Sequence, residues 1–108
     1  MTALAAVLDL VGIAEGELRL WVASGWVVPE TGAEGWDFRE IDIARVRLIA
    51  ELRHHLAIDE ETVPVVLSLL DQLYRTRRDL NALCAAVAAQ SDEVRVAIAR
   101  ALQKPSLQ

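Results

Sequence analysis

The chain has 108 residues, which suffices for one domain with a buried core but not for two independent domains. Aliphatic residues and alanine dominate the composition, so a helical globular protein is the expected class. The net charge of -5 argues against strong nucleic-acid binding, because phosphate contacts need clustered Lys and Arg.

The negative charge is concentrated at the start of the chain. Residues 1–44 contain eight acids and only two bases, which gives this part a net charge of -6. The remaining residues contain eight acids and nine bases. Any acidic surface is therefore expected in the N-terminal part.

The expected compartment is the cytoplasm. The single cysteine, Cys84, cannot form an internal disulfide, which fits a reducing environment. The N-terminus lacks the basic segment and long apolar core of a signal peptide. No apolar run reaches the ~18 residues of a membrane span, so we expect a soluble protein without membrane association.

The first two predicted elements form a helix-turn-helix. A short helix is predicted over Thr2–Leu10 with Thr2 as its cap, and Gly12 permits the turn that follows. The stretch EGELRLWVAS, from Glu15, predicts a second helix that Gly25 ends. The apolar residues that share a face in these helices are Leu4, Val7, Leu8, Leu18, Trp21 and Val22.

A two-stranded wing is predicted next, in GWVVPETGAEGWDF. Trp26–Val28 and Trp36–Phe38 are rich in β-forming residues, and the seven residues Pro29–Gly35 between them are rich in turn formers. We interpret the tryptophans as core residues that hold the wing against the helices.

Helical periodicity then runs from about Glu40 to Leu56, and again from about Pro64 to Ala89. Asp59 is predicted to cap the start of the long helix. A final helix capped by Ser91 follows, and Pro105 marks the end of regular structure. The predicted fold class is all-α with a small β-hairpin wing. We divide it into a winged part (residues 1–58) and a helical, dimerising part (59–108) of one integrated domain.

The long helix carries an apolar seam with heptad-like spacing, interrupted once by Arg77. Such a face needs a partner, either the domain core or a second copy of the chain. We predict Cys84 to be a buried packing residue of this seam. The predicted seam residues are Val66, Leu70, Leu73, Leu80, Cys84 and Val87.

No catalytic or metal centre is predicted. The sequence lacks a phosphate-binding glycine loop, a dinucleotide-binding signature and a recognisable nucleophile pattern, so we expect neither an enzyme nor a cofactor. Glu51 and His55 could share an ion, but one carboxylate and one imidazole are too few for a zinc site. We interpret His54 and His55 as a partly exposed helix end.

The exposed residues of the winged part oppose DNA binding. Base edges are read chiefly by Arg, Lys, Asn and Gln, whereas the second helix offers two glutamates and Arg19. We expect this surface to face a basic protein instead. The acids predicted to make electrostatic contacts are Glu15, Glu17, Glu30, Glu34 and Asp37.

The stretches VGIAEGELRLWVASGWVVPE and WDFREIDIARVRLIAELRHHLAIDEETVPVVLSLLDQL resemble the chaperone modulator CbpM family, a divergent relative of the MerR-type winged-helix regulators. The resemblance covers roughly residues 4–83. It rests on the acid-rich second helix, the GWVVPE stretch, WDF after the wing and the LRHHLAID junction. Beyond Leu83 the chain departs from the family by being rich in alanine.

This resemblance implies a non-enzymatic modulator. Family members bind the J-domain of a DnaJ-like co-chaperone called CbpA, block its work with the Hsp70 chaperone DnaK and reduce its DNA binding. The resemblance also implies a homodimer. Two alternatives stay open: a MerR-like DNA-binding transcriptional regulator, and a structural or toxin–antitoxin type adaptor.

Overall fold

The computed structural model describes residues 1–103 of the chain. The chain divides into two compact units, Met1–Ser68 and Leu69–Gln108. The residue Pro105, where regular structure was predicted to end, lies outside the described residues.

The elements alternate between short helices and short strands before two longer helices. In chain order they are β1 (Thr2–Ala3), α1 (Leu4–Val11), α2 (Glu15–Ala23), β2 (Glu30–Gly32), β3 (Gly35–Phe38), α3 (Glu40–Ala50), a π-helical segment (Glu51–His55), α4 (Val63–Ala88) and α5 (Asp92–Gln103). The fold is thus a helix-turn-helix with a small β wing followed by long C-terminal helices, as the sequence predicted.

The first residues form a strand instead of a helix cap. Thr2 pairs with Phe38 and Ala3 pairs with Asp37, both in antiparallel register. α1 therefore begins at Leu4, and no side chain caps it. The prediction that Thr2 caps the helix is wrong, because pairing with β3 keeps its backbone extended.

Two glycines end the first two helices, as predicted. Gly12 adopts a left-handed conformation (φ 78°) and its N–H donates to the carbonyl of Leu8 at 2.8 Å. After α2, Gly25 is also left-handed and donates to Val22, while Trp26 donates to Trp21 at 3.0 Å. These bonds satisfy carbonyls that the ended helix leaves free.

The wing is tighter than predicted and begins later. Its first strand is β2, not Trp26–Val28, and only two residues connect Gly32 to Gly35. Trp26 and Val27 are both buried in the core. A strand alternates its side chains between two faces, so two adjacent buried residues do not fit an edge strand. β1 adds a third strand, which gives the order β1-β3-β2.

α3 continues directly into the π-helical segment, and the junction that follows is tight. Leu56 donates to the carbonyl of Glu51, and Ile58 donates to that of Leu52 at 2.8 Å. Between them, Ala57 takes a left-handed conformation with φ 54°. The carboxylate of Asp59, the predicted cap of the long helix, accepts from the N–H of Thr62 at 2.8 Å and so caps the turn that precedes α4, which begins at Val63.

The core of the first unit is formed by the inner faces of α1, α2 and α3, the end of β3 and the start of α4. Trp21 and Phe38 are its largest side chains. Two of its members, Val63 and Leu67, lie beyond the division at residue 58 drawn from the sequence. The buried residues of this hydrophobic cluster are Val7, Leu18, Trp21, Trp26, Val27, Phe38, Val46, Ile49, Val63 and Leu67.

In α4 the seam residues differ in exposure within the single chain. Val66, Leu70 and Val87 are half-buried, whereas Leu73, Leu80 and Cys84 are exposed. The prediction of a buried Cys84 is therefore wrong for the single chain. Burial of the seam against a second copy stays a prediction. In α5 the predicted cap is confirmed, since Ser91 accepts from the N–H of Val94 at 3.3 Å.

Candidate protein-binding surface

α2 presents a mixed face to solvent. Leu18 and Trp21 turn into the core, and the opposite side carries Glu15, Arg19 and Leu20. Apart from Glu15 and Arg19, the residues on this exposed side have small or apolar side chains. It offers none of the amides that usually read base edges.

Glu15 and Arg19 form an ion pair along the helix, with 2.8 Å between the guanidinium Nε and a carboxylate oxygen. Both side chains are more than half exposed. An exposed pair of this kind contributes little stability, on the order of 0.3–0.5 kcal/mol. Its main effect is to offset one negative charge of α2.

Glu17 reaches across the fold to the π-helical segment. One of its carboxylate oxygens lies 2.6 Å from Nε2 of His54, whose ring also lies near that of Trp21. The second histidine, His55, instead pairs with Glu51 on its own segment at 2.7 Å. The predicted partly exposed helix end is confirmed, but the two imidazoles point to different partners.

Arg39 links the wing to the start of α3. Its guanidinium donates to both carboxylate oxygens of Asp42, at 3.0 and 3.1 Å, and lies 3.8 Å from Glu30. Burial alone would raise the pKa of Asp42, but the hydrogen bonds from Arg39 outweigh it and lower the pKa below its usual value. The same bonds raise the pKa of Arg39.

The remaining two acids of the predicted site lie on the hairpin. Glu34 is exposed in the two-residue connection, and within residues 1–103 it forms no ion pair. Asp37 is half-buried on β3, directly opposite Glu30 in the register. Its carboxylate folds over Gly32, where a Cβ atom would collide with it.

Arg19 joins α2 to this hairpin. Its guanidinium carbon lies 5.5 Å from the ring centroid of Trp36, the residue that precedes Asp37 on β3. A guanidinium at this distance is attracted to the aromatic face. Arg19 therefore links α2 to β3. Asp37 and Glu30 lie on the opposite face of the hairpin from Trp36, because side chains alternate along a strand. We call the exposed part of residues 1–44 that carries the five predicted acids the acidic surface: Glu15, Glu17, Glu30, Glu34 and Asp37.

Comparison with known families identifies the fold. The family described as MerR HTH family regulatory protein matches residues 2–84. The chain belongs to this MerR family. No curated protein and no solved structure matches it.

In this MerR-family chain, three acids of the wing and of α2 lie close to cationic or titratable side chains. Glu15 and Glu30 each have a guanidinium nearby, and Glu17 has an imidazole. The two bases concerned, Arg19 and Arg39, are also the only bases among residues 1–44. Both bases thus contact carboxylates of the chain itself, with which a phosphate would have to compete.

Sequence reasoning missed three residues that organise this MerR-family surface: Asp42, His54 and Trp36. Asp42 is charged yet buried, and it lies on α3 together with the buried apolar residues Val46 and Ile49. The contact of His54 with Glu17 joins residues 37 positions apart, a separation that no local pattern reveals. The spacing of three residues between Arg39 and Asp42 is typical of a helix start, and it was the only local signal that could have indicated this contact.

The described residues contain neither a metal-binding cluster nor a membrane-spanning helix. Within the described residues, no group of three or more His, Cys, Asp or Glu side chains is placed to hold a metal ion. None of the helices in residues 1–103 combines the length and apolar character needed to cross a membrane.

Proposed function

We propose that this protein is a non-enzymatic, cytoplasmic modulator that binds the J-domain of a DnaJ-like co-chaperone of the CbpA type. By occupying the J-domain it inhibits the cooperation of that co-chaperone with the Hsp70 chaperone DnaK. The proposal rests on the resemblance to the CbpM family together with the arrangement of charges on the acidic surface.

The engagement of Arg19 and Arg39 carries the proposal. A DNA reader of this fold needs bases on its second helix and wing, because phosphate contacts supply most of the affinity. In this chain both local bases are held by Glu15, Glu30 and Asp42. The acids left over favour a cationic partner, and charge complementarity speeds and orients such an encounter.

The modulator is further proposed to act as a homodimer through α4. Leu73 and Leu80 are about half exposed in the single chain, at 50% and 56%. A heptad-like apolar stripe of this kind is typical of helices that pair with another helix. A second copy would cover it.

The main test is a titration of a labelled J-domain with the protein at two salt concentrations. Binding should be detectable at low salt and weaken as salt rises, because exposed charges are screened. Addition of the protein should also reduce the ATPase activity of DnaK that the co-chaperone stimulates. Absence of binding at low salt would contradict the proposal.

A charge-matched pair of variants locates the interface. The variant Glu15→Gln/Glu34→Gln removes two charges from the acidic surface, and Glu61→Gln/Glu93→Gln removes two exposed charges elsewhere. At roughly 0.2–1 kcal/mol per charge, the first variant should weaken J-domain binding by about 2- to 30-fold. Equal weakening by both variants would mean that the interface lies elsewhere or that binding depends only on the net charge of the protein.

A DNA-binding regulator is the second candidate, and membership of the MerR family favours it. A mobility-shift experiment at low salt distinguishes the two. A discrete protein–DNA complex that persists in the presence of excess nonspecific DNA would support the regulator. No complex at low salt leaves the co-chaperone modulator as the better account.

A further inference from the structure

The junction between α3 and α4 contains an uncommon backbone element. α3 passes directly into the π-helical segment Glu51–His55, in which the N–H of Leu56 donates to the carbonyl of Glu51 at 3.0 Å. A π-helical bond spans five residues where an α-helical bond spans four, and single π turns are frequent at functional sites. The segment is therefore one residue out of register with the α-helix that leads into it.

The exposure of Leu56 shows the effect of this extra residue. Ile49, Leu52 and Leu56 are spaced by three and four residues, a spacing that places side chains on one face of a continuous α-helix. Ile49 is fully buried and Leu52 is only 6% exposed, but Leu56 is 60% exposed. The sequence pattern thus fits an α-helical register, in which Leu56 would turn toward the buried face, whereas the structure has the π-helical register.

A contact with α2 favours the π-helical register. A carboxylate oxygen of Glu17 lies 2.6 Å from Nε2 of His54, whose ring centroid lies 6.4 Å from that of the buried Trp21. Loss of the extra residue would rotate His54 by up to about 100°, the advance of one residue in an α-helix, and move its imidazole away from Glu17. The bond from Arg53 to the carbonyl of Ile58, at 2.7 Å, is local to the junction. His54 therefore couples the register of this segment to α2.

We propose that Glu51–His55 is a two-state register element, which is π-helical while Glu17 contacts His54 and becomes α-helical when a cationic partner engages the Glu17 carboxylate. The α-helical form loses one hydrogen bond to a carboxylate and gains the burial of Leu56, two effects of similar size. A ligand shifts such an equilibrium by the difference between its affinities for the two forms. The register element goes beyond the proposed function, and its trigger, a cationic partner, rests on that function.

The register element leads into the start of α4. The N–H of Ile58 donates to the carbonyl of Leu52 at 2.8 Å, and Ile58 packs against the core to which Val63 and Leu67 belong. A change of register breaks this bond and moves Ile58 against that core. Occupation of Glu17 on α2 is therefore expected to affect the first turns of α4.

A double-mutant cycle in the free protein tests the register element. Leu56→Ala should change the urea midpoint by less than about 0.3 M in the wild-type background, because Leu56 is exposed there. In the Glu17→Ala background, where Leu56 becomes buried, the same substitution should lower the midpoint by about 1 M. The control background is Glu15→Ala, which removes an acid of α2 that contacts Arg19 and not His54. An equal effect of Leu56→Ala in all three backgrounds would overturn the proposal.

Backbone NMR measures the register directly, whatever the stability of each variant. The scalar coupling across the hydrogen bond of the Leu56 N–H should connect it to the carbonyl of Glu51 in the wild type and in Glu15→Ala. In Glu17→Ala it should connect to the carbonyl of Leu52, the acceptor of an α-helical bond. A coupling to Glu51 in all three proteins would overturn the register element.

The same coupling tests the trigger with the partner present. Saturation of the wild-type protein with a folded J-domain should transfer the coupling of the Leu56 N–H from Glu51 to Leu52 and shift the amide resonances of residues 63–67. A bound J-domain that leaves the coupling at Glu51 would overturn the trigger. If the J-domain does not bind, the proposed function fails, and the measurements on the free variants still decide whether the register element exists.

Discussion

The two units of the chain differ in how far their apolar side chains are buried. In the first unit, Phe38 and Val46 are fully buried among residues from several short elements. In the second, Leu80 and Leu83 remain 56% and 60% exposed. Periodicity predicts which side of a helix is apolar in both units, but it does not specify what covers that side.

The difference extends along the helix. Every residue of α4 from Asp71 to Ala86 is exposed. A contiguous exposed apolar stripe on a monomer usually marks an interaction surface. The first unit is therefore stabilised by its own core, whereas the second presents apolar area that binding can still bury.

The largest expected effect tests the core side of this comparison. Phe38→Ala should destabilise the protein by about 3–5 kcal/mol, because it removes a buried aromatic ring and leaves a cavity. Leu83→Ala, on the exposed side of α4 and outside the predicted seam, should stay within roughly 0.5 kcal/mol of wild type. Chemical denaturation measures both. A comparable loss in Leu83→Ala would mean that the covered surface of α4 in solution extends beyond the seam to Leu83.

The next effect tests the α4 stripe directly. If a second copy covers Leu73, Leu73→Asp should cost several kcal/mol of dimer stability, since an unpaired charge would be buried. Ala82→Asp, on the opposite side of the same helix, is the matched control and should leave the dimer intact. Light scattering and melting temperature at two protein concentrations provide the readout. Unchanged oligomer size in Leu73→Asp would refute dimerisation through this stripe.

A third, smaller effect concerns pH. Asp42 is buried and its pKa is lowered in the fold, so it contributes stability above its unfolded pKa and loses it as pH falls through the folded value. Asp42→Asn should cost about 1–3 kcal/mol at neutral pH, because Arg39 loses its charged partner. The difference in the free energy of unfolding between Asp42→Asn and wild type should shrink below about pH 4. A difference that is constant from pH 7 to pH 2 would contradict this account.

The smallest expected effect is a gain. Ala57 has φ 54°, a conformation that costs residues with a Cβ atom roughly 1–2 kcal/mol but costs glycine little. Ala57→Gly should therefore raise the free energy of unfolding by about 0.5–1 kcal/mol. The control Ala82→Gly lies inside α4 and should lower it by about 1 kcal/mol. Destabilisation by both variants would show that Ala57 is not strained.

Much of the architecture could be predicted from local chemistry. Gly12 and Gly25 end helices because their left-handed backbone suits glycine, and Asp59 and Ser91 cap the turns that follow them. These signals depend on a few neighbouring residues. The helix-turn-helix, the wing and the long C-terminal helices were predictable for that reason.

The errors came from pairings between distant residues. Nothing near Thr2 indicates that its backbone pairs with Phe38, and nothing near Trp26 indicates that this buried residue lies outside a strand. For the acidic surface, the sequence identified the acids but not their partners. Arg19 and Arg39 reduce the charge of that surface through contacts that only the fold brings together.

The open edge of the sheet limits how a partner can dock. β2 is only three residues long and carries the charged Glu30 at its start, and short, charged edge strands resist the addition of a further strand. An extended peptide would find too few free backbone groups there for β-augmentation. A partner of the wing is therefore expected to contact its side chains and not to add a strand at β2, and the same edge should protect the protein from strand-mediated aggregation.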